Sequence, residues 1–252
     1  TSYNANGKGL RVYNNGGQNS FEVAQAAGTK FLVDGSGNVG IGVTPEGWTG
    51  YTPVLQIGDR GALAHYVNDS LTISDNWYYD GTNKRIDTGF ATRIQIISAT
   101  GDMHFQNAPT GAADSAITFT TRLFIQDDGN VGIGNTNPSS YHSPADNLVI
   151  GTSGDNGFTI VSGTTSKGTI CFADGTSGGA QYTGFIDYDH SNDSMRFGTN
   201  GGNTRLTISS GGLVSIKTGL QLLNFSGRDT IVQAANDPTN ANIYVTQGGV
   251  GD

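Results

Sequence analysis

A phrase of six residues, Gly-Asn-Val-Gly-Ile-Gly, occurs twice, at residues 37–42 and 129–134, and constrains the fold more than any other feature of the chain. Each copy sits in the same longer frame. Residues 29–42 align with 121–134, and an altered third copy at 204–217 reads Gly212-Leu213-Val214-Ser215-Ile216 in place of the phrase. The first two copies continue to a proline, Pro45 or Pro138, placed ten residues ahead of Leu55-Gln56-Ile57-Gly58 or Leu148-Val149-Ile150-Gly151. From Val39 to Val131 is 92 residues and from Val131 to Val214 is 83. These periods exceed the roughly 20–50 residues of a solenoid turn, so each is a composite unit.

Within the repeated parts apolar residues come as apolar-x-apolar triads: Leu10/Val12, Phe21/Val23, Phe31/Val33, Val39/Ile41 and Leu55/Ile57, then Leu123/Ile125, Val131/Ile133 and Leu148/Ile150. A period of two is the strand period, and the glycines between triads read as tight turns. Gly37, Gly40, Gly42, Gly129, Gly132 and Gly134 are therefore assigned structural turn roles. Two inward residues per strand are too few to close a core within one chain, since an isolated hairpin is marginal. The economical solution is further copies of the same chain sharing an axis, an assembly without a stable monomer.

Composition supports an all-β reading. The chain has 252 residues with 39 Gly, and its only glutamates are Glu22 and Glu46, so its acids are almost all turn-forming Asp. Hydrophobic content of 35% is low, yet 11 Phe and 10 Tyr are too many for a disordered chain. A net charge of −8 with 13 Lys and Arg argues against nucleic acid, whose affinity comes from clustered cations. Cys171 stands alone, which excludes an internal disulfide and a thiolate metal cage, and is expected to be a buried, inert thiol. No apolar run reaches the roughly 18 residues of a membrane span, so membrane insertion is not expected. A chain opening on Thr1 rather than Met reads as a fragment or a processed product.

Between the triads lie two longer inserts with alternating stretches such as Ile117-Thr118-Phe119-Thr120 and Thr183-Gly184-Phe185-Ile186-Asp187, read as small antiparallel sandwiches or meanders. The organisation expected is an N-terminal shaft at 1–58, a first β insert at 59–122, a second shaft repeat at 123–151, a second insert at 152–205 and a C-terminal shaft segment at 206–252.

Enzyme signatures fail on context. Residues 35–40 match G-x-G-x-x-G, but no helix can begin at Ile41-Gly42-Val43-Thr44-Pro45 to present amides to a pyrophosphate, and the aligned copy has Asp127 for the first glycine. Residues 175–179 match G-x-S-x-G, but a strand follows where a nucleophile elbow needs a helix. His65, His104, His142 and His190 lack metal-ligand spacing. Asp187, Asp189 and Asp193 alternate near a turn and are a weak calcium candidate, without the glycine and closing glutamate of a helix-loop-helix site. No catalytic residue, cofactor or metal site is assigned, and the chain is expected not to be an enzyme.

Trp77-Tyr78-Tyr79 is the densest aromatic cluster, flanked by Asp75, Asn76, Asp80 and Asn83. Flat rings beside short polar acceptors suit a sugar surface, which makes these three the candidate receptor-contact residues. The favoured competing reading is core packing, with Trp77 and Tyr79 inward and Tyr78 exposed by strand alternation.

The phrase G-N-V-G-I-G-x-T-x-P, met at Gly129 to Pro138 and one residue shorter at Gly37 to Pro45, resembles the shaft of bacteriophage distal tail fibres of the kind that precede an endosialidase-type intramolecular chaperone. The inserts from Asn76-Trp77-Tyr78-Tyr79-Asp80-Gly81 to Thr120-Thr121-Arg122, and from Ile170-Cys171-Phe172-Ala173-Asp174-Gly175 to Phe185-Ile186-Asp187-Tyr188-Asp189-His190-Ser191, resemble fibre inserts. The resemblance covers roughly residues 20–222. It implies an elongated fibrous homotrimer with intertwined, triple β-helix-like shaft segments alternating with β inserts. It further implies an extracellular virion component that contacts other tail-fibre or tail proteins and attaches to a host surface glycan or outer-membrane receptor. In such fibres the chaperone cuts itself off, and Gly251-Asp252 is a candidate for that end. The alternatives weighed are a cellular adhesin or extracellular filament subunit and, less favoured, a polysaccharide depolymerase.

Overall fold

The computed structural model describes residues 21–25, 28–67 and 69–217. The Leu10/Val12 triad and the end of the segment at 206–252 lie outside them. The described chain is all-β, with antiparallel sheets and three 3-10 turns as its helical elements. It divides into two compact units between Gly157 and Phe158.

The first unit is an eleven-stranded sheet. Its strands are β1 (Phe21–Gln25), β2 (Gly28–Val33), β3 (Val39–Ile41), β4 (Tyr51–Ile57), β5 (Gly61–Tyr66), β6 (Ser70–Asp75), β9 (Gly89–Ile97), β10 (Met103–Gly111), β11 (Thr120–Ile125), β12 (Val131–Ile133) and β13 (Leu148–Ile150), paired in that order. A two-stranded ladder, β7 (Tyr78–Tyr79) with β8 (Asn83–Lys84), departs from it. Neighbours are antiparallel except β3 with β4 and β12 with β13. The sheet runs without a break from the first repeat through the segment between them into the second repeat. The second unit is a five-stranded antiparallel meander of β14 (Lys167–Phe172), β15 (Gly184–Asp189), β16 (Ser194–Thr199), β17 (Asn203–Ile208) and β18 (Val214–Ile216).

The three aligned segments fold alike. Phe31 pairs with Ile41, Leu123 with Ile133 and Leu206 with Ile216, and each hairpin closes on Val39, Val131 or Val214. Every turn donates the fourth residue's amide to the first residue's carbonyl, Gly37 to Asp34, Gly129 to Gln126 and Gly212 to Ser209, with that glycine at positive φ where a side chain would be strained. The first strand of each hairpin carries one extra residue at the same place, Lys30, Arg122 or Arg205, against the strand that precedes it. The extra residue kinks the strand identically in all three modules.

In the first two modules the chain then crosses over and returns as a parallel strand, β4 or β13. This crossover explains the rest of the repeated phrase. Buried Asn38 takes Asp34 with its amide and side chain and accepts the Val54 amide at 3.0 Å, so it ties the turn to β4. Asn130 is buried in the same place, held by Asp128 and joined at 3.4 Å by Asn147. Gly40 and Gly132 lie under the crossover, where an added Cβ would stand 2.1 Å from the Val43 or Asn135 carbonyl oxygen. They are strand residues kept small by a backbone passing overhead, not turn residues as the sequence suggested. The third module has exposed Leu213 and Ser215 at these two positions.

One face of the eleven-stranded sheet is covered by the chain itself. Ala62, Ala64, Ala91 and Ala108 present almost no side chain there, which makes room for Trp48, Tyr51, Trp77 and Tyr78 to lie against the strands. Buried Arg85 pins the covering loops by donating to the Gly89, Ala116 and Pro109 carbonyls and to Ser115 Oγ, four acceptors without a carboxylate. Because the Asn135 carbonyl cannot retreat without opening the crossover, Gly132→Ala is expected to lower unfolding free energy by about 1–3 kcal/mol. Ser215→Ala, at the equivalent uncovered position, is expected to leave it within about 0.5 kcal/mol. Urea titrations of the two variants check the contrast.

Candidate functional site

Trp77, Tyr78 and Tyr79 come together, but not as an open platform. Trp77 is 0% and Tyr78 6% exposed, and Tyr79 is half-buried. Trp77 meets Trp48, Tyr51 and Phe119 edge-on at centroid distances of 5.3, 5.1 and 6.5 Å, and its Nε1 donates to Asn83 Oδ1 at 2.8 Å. Tyr78 donates its hydroxyl to Asp114 Oδ1 at 2.8 Å. The expectation that Tyr78 faces solvent is corrected. Asn76, at φ +57 and held by the Asp87 and Phe90 main chain, turns the strand, and β7 is folded over the sheet, so both of its sides are covered. Strand alternation puts a residue outward only where one side of the strand is open.

The electrostatics around the cluster follow from this burial. Arg93 has its guanidinium 4.1 Å from the Phe119 ring centre and 5.3 Å from that of Trp77, with Gln106 Oε1 accepting at 2.6 Å. Burial holds its basicity below the ordinary arginine range. Burial and then the Asp114 bond push the Tyr78 phenol up. Glu46, at the cluster's rim, is also pushed up, first by desolvation and then by the Asp114 charge.

The acidic run does not form a cation nest. Arg196 grips Asp187 with two bonds of 2.8 and 2.7 Å, and Asp189 accepts from Ser191 and lies 3.7 Å from Lys167. Among the described residues no three metal-ligating side chains converge. Residues 35–38 lie in the β2–β3 hairpin turn and 39–40 open β3, and residues 175–179 run into a 3-10 turn and then β15. Cys171 is exposed, a correction: β14 is an edge strand, and five of its six side chains face solvent.

The feature that stands out is the other face of each sheet. In the first unit one residue per strand forms an unbroken paired row. Phe21, Val33, Val39, Leu55 and Leu63 continue through Ile73, Ile94, Phe105, Leu123, Ile133 and Ile150. A second row beside it runs Leu71, Ile96, Met103, Ile125, Val131 and Leu148. In the second unit Ile170, Ile186, Phe197, Leu206 and Ile216 repeat the pattern across all five strands. An antiparallel sheet with one face in water carries polar side chains there. Here the uncovered side is apolar: Ile73 is 51%, Ile133 45% and Leu148 56% exposed. From Phe31/Val33 onward the triads of the first unit point their apolar pairs to this open side and their middle residues to the covered one. Contiguous apolar surface on this scale marks an interaction surface.

Comparison with protein-family models and with curated proteins gave no match to this chain.

Glu46 supplies a test of the cluster. A carboxyl whose folded pKa is raised contributes stability that is fully present below the unfolded pKa and lost as pH rises through the folded one. Glu46→Gln is therefore expected to raise the melting temperature relative to the parent at pH 7, with the gap closing near pH 4. Paired thermal melts at the two pH values check this.

Proposed function

We propose that the chain is a structural and receptor-binding segment of a virion appendage, the outer part of a bacteriophage tail fibre. In this reading it assembles as a closed homotrimer through the open apolar rows and displays its inserts toward a host surface glycan or outer-membrane receptor. The observation that carries the reading is the unbroken apolar row, one residue per strand over eleven strands, lying on the side the chain leaves uncovered. A hydrophobic contribution near 25 cal/mol per Å² makes that face costly in water and favourable between copies. The row carries no charge, so copies of net charge −8 can approach there without desolvating an ion. The repeated module supports a part that extends by reiteration.

The role is attachment by rigid display, without turnover. Three equivalent copies of each insert on one stiff support turn weak single contacts into durable binding through effective concentration. The sealed aromatic cluster serves as the core that keeps the first insert rigid. Receptor contact is then left to the loops and strand edges around it.

The native mass tests assembly. Light scattering is expected to give three times 26.2 kDa. Ile73→Asp, at a position open to water within one chain, is expected to yield a monomer with unchanged far-ultraviolet circular dichroism. A folded wild-type monomer would overturn the trimer, and a mass that grows with concentration would mark a filament subunit instead. Glycan-array binding without release of reducing sugar from host polysaccharide is the expected functional result.

A further inference from the structure

We propose that the second unit carries a binding cavity for a neutral pyranose ring, built within one chain on the polar side of its sheet. That the sugar belongs to a host glycan rests on the attachment reading above. The cavity lies opposite the apolar row of Ile170, Ile186, Phe197, Leu206 and Ile216, so assembly through that row does not cover it.

The residues that alternate with the row form the cavity. Thr169 pairs with Asp187 and Asp187 with Arg196, while Cys171 pairs with Phe185. Together with Tyr182 and Thr204 they line a space of about 380 Å³, within the roughly 300–1,000 Å³ of small-molecule sites. Two glycines seat its rings. A Cβ on Gly198 would stand 1.9 Å from Phe185 Cε1, and one on Gly202, at φ +92, would stand 2.8 Å from Tyr182 Cε2, so both rings lie directly on main chain. Phe185 is buried, whereas Tyr182 is 42% exposed and offers its ring to a ligand. The loop that carries Tyr182 is fixed in advance. The Asp174 and Gly175 amides donate to the Ala180 carbonyl, the Thr183 hydroxyl to Asp174 Oδ1 at 2.8 Å, and the Gly201 amide to the Thr183 carbonyl. Little ordering is then left for binding to impose.

The polar lining sets the ligand class. Arg196 commits Nε and Nη2 to Asp187, which leaves Nη1 without a hydrogen bond to the described residues. Lys167 Nζ lies 3.7 Å from Asp189 Oδ2, an ion pair too long for a hydrogen bond. The Thr169 and Thr204 hydroxyls are likewise unbonded among the described residues. Lys167 and Arg196 are balanced by Asp187 and Asp189, so the cluster has no net charge, and an ionised ligand would have to compete with pairs already made. What fits is a neutral molecule that donates and accepts at several points and presents a C–H face to a ring, which is the chemistry of a hexopyranose. Its hydroxyls meet Nη1, Nζ and the two threonines, and its apolar face lies on Tyr182.

Cys171, the only thiol of the chain, lines the same cavity and reports its occupancy. The methyl glycosides of glucose, galactose and mannose are offered to the full chain at millimolar concentration. At least one is expected to give saturation-transfer NMR signals and to slow alkylation of Cys171. Tyr182→Ala is expected to weaken that binding about tenfold, and Tyr182→Phe to keep it. Failure of every glycoside to protect Cys171 in the parent protein would overturn the site without recourse to a variant. Glycan-array binding that Tyr182→Ala leaves intact would also overturn it, while leaving the attachment reading standing. Protection by glucuronate alone would overturn the neutral class. A parent protein that binds no glycan on the array would overturn both readings.

Discussion

Successive side chains of a strand point to opposite faces, and a single chain of this composition can cover only one face of so wide a sheet. Each described triad places its two large apolar residues on one side and a single residue, such as Leu32, Gln56 or Phe124, on the other. The covering layer of Trp48, Tyr51, Trp77 and Tyr78 occupies the side of the single residues, where Ala62, Ala64, Ala91 and Ala108 leave it room. The side of the pairs stays open. The aromatic covering layer and the open apolar pairs therefore lie on opposite faces of the same strands.

The parallel crossover is the second constraint, and it accounts for residues that would otherwise look like ornament. A strand returning beside β3 or β12 sends its connection over the hairpin, which demands a glycine beneath the carbonyl and an asparagine to join turn and strand. Where the crossover is missing from the described residues, Ser215 and Leu213 appear.

Charge is distributed to suit an open apolar face. Asp187 with Arg196 and Asp189 with Lys167 lie on the polar side of the second sheet, Arg60 with Asp87 lies in loops of the first unit, and Lys84 at the end of β8 meets Asp80. The two most enclosed arginines, Arg85 and Arg93, are held by carbonyls, amide oxygens and rings instead of carboxylates.

The all-β class, the three modules and their strands were legible in the sequence, because period-two apolar triads and glycine punctuation are local signals that each strand carries by itself. The aligned segments share one hairpin register, Phe31 with Ile41 and Leu123 with Ile133. Other features were not legible. Tyr78 is covered because a distant loop folds β7 onto the sheet, Cys171 is exposed because β14 falls at an edge, and Gly40 is small because of a carbonyl three residues away that only the crossover brings overhead. Arg85 gave no signal at all, since its partners are main-chain carbonyls without residue identity. The sequence by itself determined which residues alternate and where the chain turns, for these depend on near neighbours. Only the tertiary structure decided which side of each strand is covered, because that depends on which segments return over the sheet.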